Sequence, residues 1–237
     1  MTLLAIDTAT TCASVALWEA GAPLASARVV GGRLHAEVLM PMVDDLHRRA
    51  GRSVADLEAV AVDVGPGLFT GLRVGLAAAS SISLALGVPA QGVTSLEVLA
   101  HPHRRCPGLV ASVVDARRGE VYWALYATGG SGLEPVVAPE VVAPGTVVEA
   151  LSARQDKALA VGDGAWRYRE LLGTVAEVAG PADLWPSADV VAELGARALA
   201  LTGAPSAPPH PLYLRQADVR VGWEQVGGRV GEPRPGP

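Results

Sequence analysis

The 237-residue chain has one lysine, Lys157, only two cysteines, and no uninterrupted apolar run near the roughly 20 residues a membrane-spanning helix needs. Each scarcity excludes a class. Around a single lysine no GxxxxGK[ST] phosphate loop can be drawn. Cys12 and Cys106 form no CxxC pair, so neither a disulfide framework nor a zinc knuckle is encoded. The histidines at 35, 47, 101, 103 and 210 include no pair at i and i+4, which removes HxxxH and HExxH metal faces, and no GxSxG elbow offers a serine nucleophile. Half the residues are hydrophobic, yet the longest apolar stretch, Leu72 to Ala90, is broken by Arg73, three serines and Pro89. Met1 is followed by a strand-like run with no basic start and no small-residue cleavage site. The expectation is a soluble, cytoplasmic chain without a membrane partner. A net charge of −5 works against holding a polyanion alone, so RNA would be met only indirectly, through another subunit.

What is present is a faded duplication. Ala5 to Trp18 has an ungapped echo in Val113 to Tyr126: Asp7 and Asp115, like Leu17 and Leu125, lie 108 positions apart. Both copies read as a strand ending in Asp, a polar turn and a returning strand, which predicts two related lobes. In the first, strands at 3–6, 14–18 and 24–30 precede a helix from His35 to Ala50, closed by Gly51; a strand at 57–64 and a helix to about Leu86 complete a βββαβα order. A short strand at 90–93 and a Thr94-capped helix follow. The second lobe is thinner: after its hairpin come a turn at 129–132, a Val/Pro-rich stretch to Pro144, a helix near 147–153, a strand at 158–161 and a Ser187-capped helix to about 201. The division expected is 1–101 and 108–216, with a Pro/Gly-rich, disordered tail at 217–237.

Two segments carry candidate chemistry. In Asp7-Thr8-Ala9-Thr10-Thr11, an acid at a strand end precedes hydroxyls and N–H groups able to cradle phosphate, although an ordinary hairpin satisfying its own backbone reads the same way. The Gly65-Pro66-Gly67-Leu68-Phe69-Thr70-Gly71 loop lies between a strand and a helix start, where free N–H groups attract anions, with Thr70 placed as N-cap. The candidate vestigial phosphate site is therefore Asp7, Thr8, Thr10, Thr11, Gly65, Gly67, Thr70 and Gly71. The small residues of the following helix (Gly71, Gly75, Ala79, Ser83, Gly87) recur every four positions, which suits close packing on a partner or on the chain's own sheet. No catalytic residue or metal ligand is nominated.

Read together, Asp7-Thr8-Ala9-Thr10, Ala36-Glu37 with Leu39 and Pro41, Gly65 to Arg73 with Gly75, Asp115-Ala116-Arg117 with Gly119-Glu120-Val121-Tyr122, and Tyr213-Leu214-Arg215 resemble the bacterial TsaB (YeaZ) family. The resemblance implies an α/β fold of duplicated actin/Hsp70/sugar-kinase-like (ASKHA, RNase H-like) lobes, the second reduced. It also implies a non-catalytic role in threonylcarbamoylation of adenosine 37 in tRNAs reading codons that begin with A, with TsaD as transferase and TsaE as a further ATPase. Helices 35–50 and 71–86 would form the face for TsaD, or for a second copy of the isolated chain, through His35, Leu39, Met42, Leu46, Leu72, Gly75, Leu76 and Ala79. No cofactor is expected for this chain alone, with ATP or ADP left open at the interface with TsaD. Leu68 stands where the family commonly has Ser. The competing reading is an ATP-dependent phosphotransferase using Asp7, Asp115 and the glycine loop; against it, the second lobe offers only Gly162-Asp163-Gly164 as a nucleotide clamp and no adenosine-binding glycine pair. A third, a glycoprotein endopeptidase, suffers from the missing metal ligands.

Overall fold

The computed structural model describes residues 1–31, 35–129, 132–154 and 156–215. The expected tail at 217–237, Gly32, and the middle of the 129–132 turn lie outside them. Strands β1 (Thr2–Asp7), β2 (Cys12–Glu19) and β3 (Ala22–Val30) form an antiparallel meander. Helix α1 (His35–Ala50) leads to β4 (Ala59–Asp63), which runs parallel to β1, and helix α2 (Phe69–Leu86) leads to β5 (Ala90–Val93), parallel to β4. The sheet order is β3-β2-β1-β4-β5.

After the short helix α3 (Ser95–Ala100) the pattern repeats with β6 (Gly108–Arg117), β7 (Glu120–Thr128), β8 (Glu134–Val142), helix α4 (Pro144–Ser152) and β9 (Ala158–Val161). Helices α5 (Asp163–Arg167) and α6 (Arg169–Leu172) then precede β10 (Ala176–Val178) and the closing helix α7 (Ala188–Thr202). The second sheet reads β8-β7-β6-β9-β10, the same order as the first. Its reduction is visible: one 18-residue helix is answered by two of 5 and 4 residues.

The cores explain why both sheets hold. Leu4, Ile6, Val15, Leu17, Val60 and Val62 face α1 and α2, whereas the alternate residues Leu3, Ala5, Ala16 and Ala61 face α7. Strand period and two covered faces together make β1 fully buried, as an apolar central strand requires. In return, Leu96, Leu99 and Ala100 of α3 pack on the second sheet against Val110, Val114 and Val161, while α4 to α6 cover its other face. The expected boundary at 101–108 separates the sheets but not the cores, because each lobe lends the other a helix. Gly195 lets α7 sit directly on β4: a Cβ there would lie 2.5 Å from that of Ala61.

Local expectations differ from the structure in several places; α5, α6 and β10 were not expected, and α4 starts three residues earlier, at Pro144. The Val/Pro-rich stretch is strand β8, an edge strand that tolerates Pro135 and Pro139. The strand expected over 57–64 is shorter, at 59–63. Helix α2 begins at Phe69, so its N-cap is Leu68, which offers no side-chain bond, and Thr70 lies inside the first turn. Ser187 occupies the N-cap of α7, but its hydroxyl meets Asp189 and not the helix backbone.

Candidate functional site

Asp7 ends β1 and Asp63 ends the neighbouring β4, so parallel pairing sets two carboxyls side by side. Asp7 accepts from the Ala9 N–H at 2.9 Å and from the Ser14 hydroxyl at 3.5 Å; Ser14 in turn accepts the Ala188 N–H at the start of α7. One Asp63 oxygen, Oδ1, accepts from the Gly65 N–H and the Ser95 hydroxyl, both at 2.7 Å, while Oδ2 has no donor. Burial, reinforced by the charge of Asp63, drives the Asp7 carboxyl well above the ordinary range, and burial lifts Asp63 to about 6. Asp63 and Ser95 were not singled out from sequence. The signal was there: one charged residue ending an apolar strand, immediately before the glycine loop.

The hairpin turn and the glycine loop meet, but they fill one another. Leu68 donates its N–H to the Ala9 carbonyl at 2.6 Å, and Thr8 donates its hydroxyl to the Gly71 carbonyl at 2.8 Å. A Cβ at Gly67 would come within 2.1 Å of the Ala9 oxygen, one at Gly71 within 2.1 Å of the Thr8 oxygen, and one at Gly75 within 2.4 Å of the Thr8 hydroxyl. The glycines thus serve close approach of the chain's own backbone. Thr10 accepts from the Cys12 N–H, Thr11 from the indole of Trp185, and Thr70 is exposed. Of the proposed phosphate residues, Asp7, Thr8, Gly65, Gly67 and Gly71 are brought together, and Asp7 and Thr8 are no more than 1% exposed.

The second lobe repeats the device. Cβ atoms at Gly162 and Gly164 would collide with the backbone of Val113 and Val114, and Asp115 donates its N–H to Asp163 at 3.0 Å. Burial lifts Asp163 to about 6. Asp115 Oδ2 takes two guanidiniums, Arg117 at 3.0 Å and Arg167 at 3.2 Å. Neither acid invoked for phosphoryl transfer stands free. Among the described residues no three His, Cys, Asp or Glu side chains are grouped to hold a metal.

The residues nominated as a partner face require correction. His35, Leu39, Met42, Leu46, Leu72, Leu76 and Ala79 are at most 8% exposed, Gly75 is buried, and the helical residues among them pack toward β1, β2 and β4 or the 7–11 turn. Apolar periodicity marks the covered face of a helix, and here the cover is the chain's own sheet. The opposite faces present Met40, Phe69 and Leu84, the last 85% exposed. Helix α2 is long and apolar enough to cross a membrane by length and composition alone, yet only 28% of its 18-residue window is buried.

Comparison with known proteins fits this geometry. A family profile described as TsaD, tRNA N6-adenosine threonylcarbamoyltransferase, matches residues 29–184. The chain is 31% identical over 230 residues to the tRNA threonylcarbamoyladenosine biosynthesis protein TsaB of Bacillus subtilis (strain 168), covering 94% of this chain and 98% of that one. The chain belongs to the TsaB family. The TsaB of Escherichia coli (strain K12) is 40% identical over 150 residues, which cover 60% of this chain and 64% of the relative, just under two thirds of its length. YeaZ from Pseudomonas aeruginosa superposes with a TM-score of 0.78 at 33% identity, over 90% of this chain and 99% of that one. The TsaB-family fold seen here is a duplicated α/β architecture with a shortened second lobe, and the ethanolamine utilization protein EutJ from Carboxydothermus hydrogenoformans shares the fold at a TM-score of 0.50 and 13% identity, over 81% of this chain and 90% of that one.

Proposed function

We propose that this chain is the non-catalytic TsaB subunit in tRNA threonylcarbamoyladenosine biosynthesis, docking on TsaD, with TsaE joining the pair. The observation that carries the reading is the state of its acids: Asp7 and Asp63 are sealed in the core, and Asp115 is occupied by two arginines. A site that moves phosphate or activates an amine needs acids that reach substrate. Attack of the adenosine N6 amine on a threonylcarbamoyl adenylate is therefore assigned to TsaD, and this chain contributes binding energy and conformational bias.

The contact face consists of the outward sides of α1 and α2, around Met40 and Leu84. Large apolar side chains left exposed on the outer sides of these helices are the kind of surface an interface buries. Met40→Glu with Leu84→Glu introduces two charges that docking would leave desolvated and unpaired. The pair should weaken co-purification with TsaD at least tenfold and leave the thermal melt unchanged; retention at the native level would refute this face. Titration of the purified chain with Mg-ATP tests the phosphotransferase alternative, and turnover would overturn the scaffold reading.

A further inference from the structure

Residues 212–215 form a strap between the lobes. The Leu212 N–H donates to the Val64 carbonyl at 2.8 Å beside the glycine loop, and the Tyr213 ring packs 5.4 Å from that of Phe69. Two residues on, Arg215 donates to the Ala116 carbonyl at 3.1 Å and pairs with Glu120 across the β6–β7 hairpin. The strap thereby aligns the start of α2 with the tip of that hairpin, and arginines collect at both ends. On the first lobe, Arg73 lies exposed, 4.3 Å above the Phe69 ring. On the second, Arg117 and Arg167, each at least half exposed, converge on the buried carboxylate of Asp115, with the carboxyl of Asp163 behind it. Two residues along the chain from Arg167, Arg169 lies 5.2 Å over Trp166.

Two independent features mark this ribbon. Neither Arg73 nor Arg169 has an ion pair among the described residues, so positive charge accumulates locally in a chain whose net charge is −5. Phe69, Trp166 and Tyr213 are, moreover, the exposed Phe, Trp and Tyr side chains among the described residues: Phe69 and Tyr213 meet at the strap, and Trp166 precedes Arg167 on α5. Guanidiniums interleaved with open aromatic faces are what unpaired nucleic acid requires: cations for phosphate and planes on which splayed bases stack.

Resting on the function proposed above, we propose that this ribbon is a direct docking surface for unpaired RNA, such as a tRNA loop. The whole-chain charge argues against RNA contact only because it averages over the surface. Cations at both ends of the strap and on both lobes suit a strand better than a mononucleotide.

The test is fluorescence anisotropy of the full chain with a labelled tRNA transcript, titrated between 50 and 200 mM salt. Arg73→Gln and Arg167→Gln should each weaken binding at least threefold at 50 mM salt and make the log–log salt slope shallower by about one. Trp166→Ala should weaken binding with the slope retained, and Arg154→Gln, away from the ribbon, should bind as the native chain does. No binding at 50 mM salt, or variants that match the native chain, overturns the proposal. So does displacement of the transcript by millimolar ATP, which would mark a mononucleotide site. Co-purification with TsaD is measured on the same variants. Retention of TsaD by a native chain that binds no RNA sinks the ribbon and leaves the subunit reading standing, whereas loss of TsaD from the ribbon variants with RNA binding intact makes this a protein interface and overturns the RNA assignment.

Discussion

Asp63 shows how one residue can be central to a fold while leaving a faint trace in the sequence. An apolar strand ending in Asp before a glycine is common, and only the parallel pairing of β4 with β1 brings it to Asp7. The pairing has a pH signature. A carboxyl whose folded pKa lies above its unfolded value binds protons preferentially in the native state, so its contribution is complete below about 4 and is lost as pH rises through the folded value. For Asp63 that window runs from the ordinary 3.8 to about 6. The native chain should therefore lose on the order of 1–3 kcal/mol through this pair between pH 4 and 7. Asp63→Asn keeps an acceptor for Gly65 and Ser95 but cannot ionise. Its urea midpoint should fall less across that interval, and an unchanged slope with pH would mean that the two carboxyls are not proton-linked. Asp7→Asn tests the scaffold role at the same scale: tRNA modification by the complex should stay within about twofold of native, because a sealed carboxyl reaches no substrate.

Elements were legible in proportion to how far local pattern decides them. Helix α1 ends where its apolar period and Gly51 say it must, and α2 closes at Gly87 in the left-handed conformation. Strand β8 was hidden because Pro135 and Pro139 break the strand pattern, and only its edge position makes them harmless. The small residues of α2 left two readings open, partner or own sheet, and the structure chooses the hairpin turn. Gly67 is the sharpest test of that docking. Its φ is not in the left-handed region, so alanine is barred only by the Ala9 carbonyl 2.1 Å from where its Cβ would lie. Gly67→Ala should destabilise the chain by about 2–3 kcal/mol, as overpacking against backbone does. Gly87→Ala meets no neighbour and is strained only by its positive φ, so it should cost about 1 kcal/mol. Denaturation curves of the two variants check the order.

At the scale of the whole molecule, the register between Asp7 and Asp115 disclosed the duplication, but nothing local disclosed the exchange of helices. Helix α7 follows the second lobe in sequence and packs on the first sheet, while α3 follows the first sheet and packs on the second. Such contacts join residues nearly 190 positions apart, Leu3 to Val191 among one cluster, and apolar patterning shows that a face is covered without showing by what. The exchange has a thermodynamic consequence. If the lobes were separate domains, each sheet could melt alone; with α7 and α3 crossed over, unfolding either sheet strips an apolar face from the other. Trp18 packs beside α7 on the first sheet and Trp123 is buried in the core of the second, so each reports its own lobe. Variants retaining only one of these two among the tryptophans should show coincident urea transitions, matching the loss of helical signal. Deleting the chain from Ser187 onward should abolish cooperative folding of both lobes together. Two separated transitions in the intact chain would instead mean that the crossed helices do not couple the sheets.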